Sequence, residues 1–309
     1  MAKYNKQIGF IGLGRMGKSM VELLAQKGYE VFCTDVSVEA RKAMVATGVK
    51  VYDDVPALVK ALPSTKVLWL MVPGKNVDSV LRELTPLLSA GDLVIDGGNS
   101  FYRDSVRRHG KLEKKQIDFL DCGTSGGVDG ARSGSALMVG GDMEVWKKAK
   151  PIFTALAKRG GCARVGGAGA GHFVKAVHNA IEYGMMGAIA EGMALVEKES
   201  DTFDLSMEGV LATYENGSII ESRLMSWTGQ AYRQGLLESV VGKVPVGETE
   251  KKMQHLTTLD EMLVLNTALQ QRANTRKKPS RVGAYIAGMR NMFGGHHFIS
   301  KKVSKKSTK

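Results

Sequence analysis

Cysteine is scarce in this sequence, and the few residues present form no framework. Cys33, Cys122 and Cys162 are widely spaced, odd in number and never arranged as Cys-x-x-Cys. Disulfide-dependent secreted domains are rich in cysteine, and zinc sites need ligands at short, regular spacing. The sequence therefore predicts free thiols in a reducing, cytoplasmic environment. No Cys/His/Asp/Glu spacing is typical of a metal site, and no metal is expected.

Long apolar runs are also missing. No stretch approaches eighteen consecutive apolar residues, so no membrane-spanning helix is predicted. Residues 1–6 lead directly into a strand and a glycine turn, without the apolar segment or the small-residue cleavage site of a secretory signal. We expect neither a membrane association nor a signal peptide.

The net charge of +12 is concentrated in part at the end of the chain. Five lysines occur within residues 301–309: Lys301, Lys302, Lys305, Lys306 and Lys309. This tail contains no acidic residue and is predicted to be disordered. The remaining positive charge is spread along the chain with no basic helix and no interleaved aromatics. It suits a small anionic substrate better than a nucleic acid, which stays the weaker alternative.

A glycine-rich loop near the N-terminus is typical of dinucleotide-binding proteins. Residues 7–12 form a buried-strand pattern that runs into Gly12-x-Gly14-x-x-Gly17 and then into an apolar-periodic helix. Gly12 permits the tight turn, Gly14 lets a pyrophosphate approach the backbone, and Gly17 brings helix and strand together. The predicted cofactor loop also includes Leu13, Arg15 and Met16. The intact strand–glycine–helix context makes this a strong prediction.

The second strand, predicted at residues 30–34, ends at an acidic residue. Asp35 is at the position where a carboxylate accepts hydrogen bonds from the adenosine ribose and repels a 2′-phosphate. Arg41 and Lys42 follow, but they are predicted on the next helix rather than beside Asp35. The sequence therefore favours NAD over NADP.

Strands and helices continue to alternate up to about residue 165, which predicts a parallel, doubly wound sheet of the Rossmann type. Further strands are expected at 66–72, 92–96 and 116–121, then a partly antiparallel hairpin at 132–141 and a helix at 143–156 capped by Asp142. Ligands bind beyond the carboxyl ends of such strands. The loops at these ends contain Val72, Pro73, Asn99, Ser125, Gly126 and Gly127. Singly, each loop is more often only a turn, but together they predict a site where Asn99 bridges nicotinamide and substrate.

A strip of polar side chains lies on one face of a long helix predicted at 170–198. His178, Asn179 and Glu182 follow Lys175 at positions +3, +4 and +7. At about 100° per residue all four share a face. Ala176, Val177, Ala180 and Ile181 are expected to pack against protein on the other side. The strip is typical of a polar active-site wall, and the alternative is a solvated helix face with an ion pair.

The rest of the chain predicts a second, all-helical domain from 166 to 300. Its expected helices are 170–198, 206–215, 217–227, 229–240, 259–274 and 280–293. Near the end, Arg290 and His296 flank a glycine pair, a combination that suits phosphate binding. The alternative for this cluster is a helix C-cap with solvated basic residues.

These motifs resemble the short, decarboxylating 6-phosphogluconate dehydrogenases of the β-hydroxyacid dehydrogenase superfamily. The matching segments are Gly12-Leu-Gly-Arg-Met-Gly17, Val72-Pro73-Gly74, Asp96-Gly-Gly-Asn-Ser100, Ser125-Gly-Gly127, Gly171-His-Phe-Val-Lys-Ala-Val-His-Asn-Ala-Ile-Glu-Tyr183 and Arg290-Asn-Met-Phe-Gly-Gly-His296. The resemblance covers nearly the whole chain except the lysine tail. Many long members of the family, which have a duplicated helical domain, carry Asn-Arg-Thr after the second strand and prefer NADP. This chain has Asp35-Val-Ser37 there, in agreement with an NAD preference.

The resemblance implies a reaction and a role for each matching residue. Lys175 would take the proton of the C3 hydroxyl of 6-phosphogluconate while a hydride passes from C3 to the nicotinamide, and would then stabilise the enolate formed by loss of CO₂. Glu182 would protonate C1 of the enediol to give ribulose 5-phosphate, a step of the pentose phosphate pathway. The implied substrate-binding residues are Asn99, Ser125, Gly126, Gly127, His178, Asn179, Tyr183, Arg272, Arg290 and His296.

The resemblance also implies a homo-oligomer, a dimer or tetramer in which the Arg290–His296 motif reaches the substrate phosphate of a neighbouring subunit. A phosphate-binding lysine of the long enzymes has no clear counterpart here. Two alternatives stay open. The first is an NAD-dependent dehydrogenase of an unphosphorylated β-hydroxy acid. The second is a non-catalytic NAD-binding regulator or an RNA-binding protein.

Overall fold

A computed structural model describes Tyr4 and residues 6–301. The predicted lysine tail, from residue 302 onward, lies outside the described residues. The chain divides into two compact units, the first ending at Lys175 and the second beginning at Ala176. Each unit is described by itself.

The first unit contains a mostly parallel sheet, and the described residues contribute eight strands to it. These are β1 (Gln7–Ile11), β2 (Glu30–Thr34), β3 (Lys50–Val51), β4 (Val67–Leu70), β5 (Leu93–Asp96), β6 (Asp118–Ser125), β7 (Ser135–Gly141) and β8 (Ala157–Gly166). Their order is β3-β2-β1-β4-β5-β6-β7-β8. All neighbouring pairs are parallel except β6 and β7. The predicted doubly wound fold is confirmed.

Helices connect these strands. They are α1 (Arg15–Gln26), α2 (Val38–Val45), α3 (Val55–Ala61), α4 (Val77–Leu84), α5 (Tyr102–Glu113), α6 (Gly127–Ser133) and α7 (Met143–Leu156). The Asp142 side chain accepts the backbone N–H groups of Glu144 and Val145, at 2.8 and 3.1 Å, as the N-cap of α7. That cap and the α7 bounds agree with the sequence prediction.

Several segments of the first unit differ from the sequence prediction, among them the short strand β3 and the helix α3, which were not predicted. The hairpin expected at 132–141 is a helix, α6, followed by a single strand, β7, which pairs antiparallel with β6 rather than with its own preceding segment. β8 was not predicted. It lies at the edge of the sheet beside β7 and exposes most of its polar residues, so it lacks the apolar pattern of a buried strand.

The sheet is covered by apolar side chains on both faces. Along β4, Val67 and Trp69 belong to one buried cluster, while Leu68 and Leu70 belong to another. Successive residues of a strand point to opposite faces. An uninterrupted apolar strand is therefore buried on both sides, as expected of parallel sheets. β1 and β4 lie side by side although β2 and β3 separate them in sequence, which opens a crevice at the carboxyl ends of the strands.

The second unit is helical, as predicted. Its helices are the continuation of α8 (Ala170–Lys198), then α9 (Ser200–Phe203), α10 (Met207–Glu215), α11 (Arg223–Arg233), α12 (Leu236–Ser239), α13 (Glu250–Leu256), α14 (Leu263–Lys277) and α15 (Arg281–Gly294). Its main buried cluster is rich in methionine and leucine and includes Met186, Met193 and Met289. Among the described residues, no helix is long and apolar enough to cross a membrane.

Several helix bounds in the second unit were wrong. The helix expected at 217–227 begins only at Arg223, because the Ser222 hydroxyl accepts the Met225 N–H at 3.2 Å and caps the helix there. Residues before Ser222 form a turn at Gly217, whose φ is +79°. The helix expected at 229–240 is divided between α11 and α12 at Gly235, and α13 was not predicted.

The long helix α8 has the predicted bounds, but its buried side differs from expectation. Ala176 and Ala180 are buried as expected, whereas Ile181 is 60% exposed. Asn179 and Tyr183 are buried instead, at 7% and 6% exposure. These two lie at +3 and +7 from Ala176, on the same stripe, so the helix period and not residue polarity decides which side is covered.

Candidate active site

The glycine-rich loop has the geometry expected of a dinucleotide site. Gly12 has φ +104°, and a Cβ there would lie 2.5 Å from the carbonyl oxygen of Met71, at the end of β4. Gly14 is the N-cap of α1, no side chain caps that helix end, and a Cβ at Gly14 would have no described atom within 4 Å. The first amides of α1 therefore face open space and can donate to a pyrophosphate. The residues present fit a dinucleotide cofactor.

Asp35 lies against this loop. Its Oδ2 accepts the Leu13 N–H at 2.6 Å, and its Oδ1 accepts the Ser37 N–H at 2.8 Å. The carboxylate is thereby held at the end of β2 beside the glycine loop, where the adenosine ribose of a dinucleotide binds.

Arg41 also lies beside Asp35, which corrects the expectation that it would not. Its Nη1 donates to the Asp35 carbonyl oxygen at 2.7 Å, and its Nη2 lies 3.6 Å from the Asp53 carboxylate. Ser37 caps α2 immediately after β2, so Arg41 is in the first turn and its long side chain folds back. A basic group is thus present near the ribose position, although hydrogen bonds to the protein occupy it.

The loops that follow β4 and β5 meet each other. A Cβ on Gly74 would lie 2.9 Å from the carbonyl oxygen of Asn99, so the segments containing Val72–Gly74 and Asn99 are in contact. The Thr124 hydroxyl, on β6, donates to the carbonyl oxygen of Gly97 at 3.3 Å. The structure therefore brings together the predicted residues Val72, Pro73 and Asn99.

Arg108, which the sequence did not single out, holds these loops. It is 2% exposed and donates to the Asp96 carboxylate (3.1 Å), the Ser100 hydroxyl (3.0 Å) and the Gly74 carbonyl (3.1 Å). One buried guanidinium therefore joins the ends of two neighbouring strands. The only signal in the sequence was an arginine beside apolar positions on α5, which is not distinctive.

Lys175 is packed over β6. A Cβ at Gly123 would lie 2.4 Å from the Lys175 Cβ and 2.7 Å from the Gly171 carbonyl oxygen, so only glycine fits at this contact. Ser125 is the last residue of β6, and Gly127 is the first of α6. Lys175 therefore crosses β6 two residues before the predicted Ser125–Gly127 substrate loop.

A second buried network missed by the sequence reasoning surrounds the start of α8. Asp121 accepts the backbone N–H groups of Gly169 (2.7 Å) and His172 (2.8 Å). The His172 ring contacts the Ser105 hydroxyl (2.7 Å) and the Gly98 carbonyl (3.0 Å). Asp121 and His172 were visible in the sequence only as a strand end and as part of a family motif.

In the second unit, the polar strip of α8 continues toward Tyr183. His178 Nδ1 lies 3.8 Å from the Glu182 carboxylate and 3.2 Å from the Asn179 side-chain oxygen. The Tyr183 hydroxyl pairs with that of Thr249 at 3.0 Å. Glu182 is partly exposed, with 23% of its side chain accessible, so it can meet a substrate.

Two buried arginines lie close to Tyr183. The Arg272 guanidinium stacks on the Tyr183 ring, 3.6 Å from its centroid, and Arg272 is only 2% exposed. Its Nε has no hydrogen-bond partner among the described residues. Burial lowers the pKa of Arg272 to about 10, and the nearby positive charge of Arg290 acts in the same direction. Burial likewise lowers the pKa of Arg290, which is 9% exposed and donates to the Pro245 carbonyl at 3.0 Å.

Within the described part of the chain, no carboxylate lies within salt-bridge distance of either arginine. Glu250, which is near both, is paired with Arg276 at 2.9 Å. Buried cations normally have an ionic partner. The Arg272–Arg290 pair therefore has the properties of an anion-binding site.

Arg290 lies with Arg272 of its own chain, because α15 packs along α11 and α14. The expectation that the Arg290–His296 motif reaches the substrate phosphate of a neighbouring subunit stays a prediction. His296, by contrast, is exposed beyond the glycine cap of α15, with its ring against the edge of Phe293 at 5.7 Å. In residues 4 and 6–301, no group of three or more His, Cys, Asp or Glu side chains could hold a metal ion.

The Rossmann-type sheet, its glycine loop and the polar helix that follows define a dinucleotide-binding oxidoreductase. Comparison with protein families places it more narrowly. Residues 7–167 match the NAD binding domain of 6-phosphogluconate dehydrogenase, and residues 171–235 match the C-terminal domain of the same enzyme. The chain belongs to the 6-phosphogluconate dehydrogenase family, as the sequence motifs indicated.

Individual relatives agree with this family assignment. The YqeC protein of Bacillus subtilis, whose name assigns it provisionally as a 6-phosphogluconate dehydrogenase, is 38% identical over 94% of this chain and 98% of its own length. The NAD(+)-dependent, decarboxylating 6-phosphogluconate dehydrogenase of Haloferax volcanii is 43% identical over 74% of this chain and 75% of its own. The structure of Plasmodium falciparum 6-phosphogluconate dehydrogenase superposes with a TM-score of 0.80 at 27% identity, covering 88% of this chain and 62% of that one.

Proposed function

We propose that this protein oxidises and decarboxylates 6-phosphogluconate to ribulose 5-phosphate and CO₂, with NAD as the electron acceptor. The observation that carries the proposal is the buried Arg272–Arg290 pair, which lacks a carboxylate partner in the described chain and lies beside Tyr183 on α8. A phosphate ester would supply the missing negative charge, and guanidinium groups match its geometry. An unphosphorylated hydroxy acid would bring no such charge to the two arginines.

The proposed chemistry uses side chains on two turns of α8. Lys175, as the neutral amine, takes the proton of the C3 hydroxyl. NAD held at the glycine loop and Asp35 would supply the acceptor for the hydride that leaves C3. The protonated Lys175 then stabilises the negative charge that develops on the C3 oxygen as CO₂ leaves. Glu182, about 10 Å away along the helix axis, delivers a proton to C1 of the resulting enediol, the carbon that was C2 of the substrate.

The other predicted residues orient the substrate in this proposal. Asn99 and the Ser125–Gly127 loop, at the carboxyl ends of β5 and β6, would bind near the reacting carbons. His178 and Asn179 would contact the sugar acid on the face of Lys175, and Arg272, Arg290 and His296 would bind the phosphate end. No metal is required, because the ketone formed at C3 accepts the electrons of the breaking carboxylate bond.

NAD is the proposed cofactor because of Asp35. Its carboxylate is held at the ribose position by two backbone amides, which fix its direction and keep it available as an acceptor. The same charge repels the 2′-phosphate of NADP. The NAD(+)-dependent relative from Haloferax volcanii is consistent with this preference.

The decisive experiment is NADH formation at 340 nm with 6-phosphogluconate, with NAD and NADP assayed separately and CO₂ release measured. Gluconate, which lacks only the phosphate, is the matched substrate control, and Lys175→Ala is the matched protein control. We expect turnover of 6-phosphogluconate with NAD, little turnover of gluconate, and loss of both in Lys175→Ala. Equal kcat/KM for the two acids would overturn the phosphate assignment and favour an unphosphorylated hydroxy acid.

A further inference from the structure

A buried polar network in the first unit joins the start of α8 to two other elements, and its side chains have no part in the reaction proposed above. Asp121, His172 and Ser105 are 0%, 1% and 0% exposed. Buried polar groups are costly unless they are hydrogen-bonded, and all three have partners. A fully satisfied buried network fixes the relative positions of the elements it connects.

Asp121 determines where α8 begins. Its Oδ1 accepts the Gly169 N–H at 2.7 Å, and its Oδ2 accepts the His172 N–H at 2.8 Å. The first amides of a helix have no partner within the helix, and the helix dipole favours a negative charge at this end. A carboxylate at the middle of β6 therefore anchors the first turn of α8 to the sheet.

The His172 ring connects that turn to the loop after β5. Its Nε2 lies 3.0 Å from the Gly98 carbonyl oxygen. A carbonyl can only accept, so Nε2 carries a proton and donates it. Nδ1 lies 2.7 Å from the Ser105 Oγ and accepts that hydroxyl in the neutral ring. The ring is therefore fixed at both nitrogens, between α5 and the β5 loop.

The hydrogen bond between His172 and Gly98 has a residue of the proposed active site near each of its ends. Gly98 precedes Asn99 in the β5 loop, and His172 precedes Lys175 by three residues, less than one turn of α8. The start of α8 packs closely on β6, because a Cβ on Gly171 would lie 2.5 Å from the Asp121 carbonyl oxygen. The Nε2–H···O bond thus spans the gap between the Lys175 turn and the Asn99 loop.

We propose that His172, anchored by Asp121, is a positioning residue that sets the distance between the Lys175 amine and the Asn99 loop for the oxidation step. This role rests on the proposed function. Misplacement of a reacting group by about 1 Å costs on the order of 100-fold in rate. Loss of the Nε2–H···Gly98 bond should therefore lower kcat while leaving the affinity for NAD nearly unchanged, since the glycine loop and Asp35 do not contact His172.

Two substitutions distinguish the two hydrogen bonds of the His172 ring from each other. The amide nitrogen of glutamine can reach the position of Nε2, so His172→Gln keeps the donor to Gly98. The shorter His172→Asn can reach only the position of Nδ1 and keeps the Ser105 bond alone. We expect kcat of His172→Gln within a few-fold of wild type and that of His172→Asn lower by on the order of 100-fold, with KM for NAD within about threefold for both.

A stability control excludes a merely structural effect. Val21→Ala removes buried volume from the core of the first unit and leaves every residue of the network in place. The Tm of Val21→Ala should fall, whereas its kcat should fall much less than that of His172→Asn. Equal kcat in the Gln and Asn variants, or a kcat loss in Val21→Ala that follows the same dependence on Tm, would overturn the positioning role.

Amide hydrogen exchange provides a readout that needs no substrate. In His172→Asn, the amides of peptides 97–100 and 169–175 should both exchange faster than in the wild-type protein. In His172→Gln, both peptides should exchange near the wild-type rate. Unchanged exchange of the 97–100 peptide in His172→Asn would contradict the connection even if 6-phosphogluconate is not the substrate. Absence of turnover in the wild-type protein would contradict only the proposed function.

Discussion

The Arg272 guanidinium lies flat on the ring of Tyr183, 3.6 Å from the ring centroid, although the two residues are on different helices. The contact orients a buried cation whose Nε has no partner in the described part of the chain. A guanidinium above an aromatic ring keeps its N–H groups in its own plane, where they can donate to a ligand beside the stack. Tyr183 therefore has two separable properties, an aromatic face for Arg272 and a hydroxyl for Thr249.

Substitutions at Tyr183 should separate these properties. Tyr183→Phe keeps the ring and should change KM for 6-phosphogluconate by less than about threefold. Tyr183→Leu removes the stacking, worth about 1–2 kcal/mol for a desolvated pair, and should raise that KM about tenfold. Arg272→Ala should raise it on the order of 100-fold, because a buried charge contact is lost. Steady-state kinetics checks all three, and a larger effect of Phe than of Leu would contradict the stacking role.

Arg290 should serve the site of its own chain, because it is buried beside Arg272 of the same unit. Two inactive variants, Lys175→Ala and Arg290→Ala, can be co-expressed with different tags and the mixed oligomer isolated. If each chain uses its own Arg290, every site in that oligomer is defective and activity stays at the level of the parents. Recovery of substantial activity would show that Arg290 is donated between subunits.

The cofactor preference should depend on Asp35. Asp35→Ser removes the ribose acceptor and the charge that repels a 2′-phosphate, so kcat/KM should fall for NAD and rise for NADP, each by on the order of tenfold. Arg41, which donates to the main-chain carbonyl oxygen of residue 35 and stays beside it in this variant, is the cation near the 2′-phosphate position. The double variant Asp35→Ser/Arg41→Ala should therefore lose the NADP gain. An unchanged cofactor ratio in Asp35→Ser would contradict this assignment.

Gly123 should be essential for turnover, and Gly110 should not. An alanine Cβ at 123 would lie 2.4 Å from the Lys175 Cβ, so α8 would have to move away from β6. We expect Gly123→Ala to lower kcat on the order of 100-fold. Gly110 is inside α5, where an added Cβ would have no described atom within 4 Å. Gly110→Ala should keep kcat and raise stability by about 0.5–1 kcal/mol, as measured by denaturant unfolding.

Asp78 should make stability depend on pH in the acid range. Its hydrogen bond to the buried Arg108, at 3.0 Å, lowers the pKa of the carboxyl from 3.8 to about 2. A carboxyl with a lowered folded-state pKa stabilises the fold above its unfolded pKa, and that contribution is lost as pH falls toward the folded value. Since Asp78 is 38% exposed, solvent screening limits the effect to on the order of 1 kcal/mol.

Denaturant unfolding of Asp78→Asn and wild type, measured from pH 7 to pH 2.5, checks this prediction. The variant should be less stable at pH 7, and the difference should shrink between pH 4 and pH 2.5. Asp104→Asn is the control, because Asp104 pairs with the partly exposed Arg107 rather than with a buried arginine. A difference that stays constant down to pH 2.5 would contradict the assigned ion pair.

Local patterns in the sequence were enough to establish the fold class and the family. The strand and glycine loop at 7–17, the acid after β2, and the polar strip from Lys175 to Glu182 each lie within one short segment. Their meaning depends only on helix and strand periods and on backbone freedom at glycine. For the same reason the bounds of α7 and α8 could be predicted, since a capping aspartate or a glycine run marks where each begins.

Tertiary structure decided which distant residues meet. Arg272 and Arg290 lie on separate helices, Asp121 and His172 are joined across β6 and α8, and Arg108 holds the ends of two strands. Packing also decided which face of α8 is buried. Asn179 is buried although it is polar, and Ile181 is exposed although it is apolar. Packing and hydrogen-bond satisfaction act between segments, so no pattern along the chain records them.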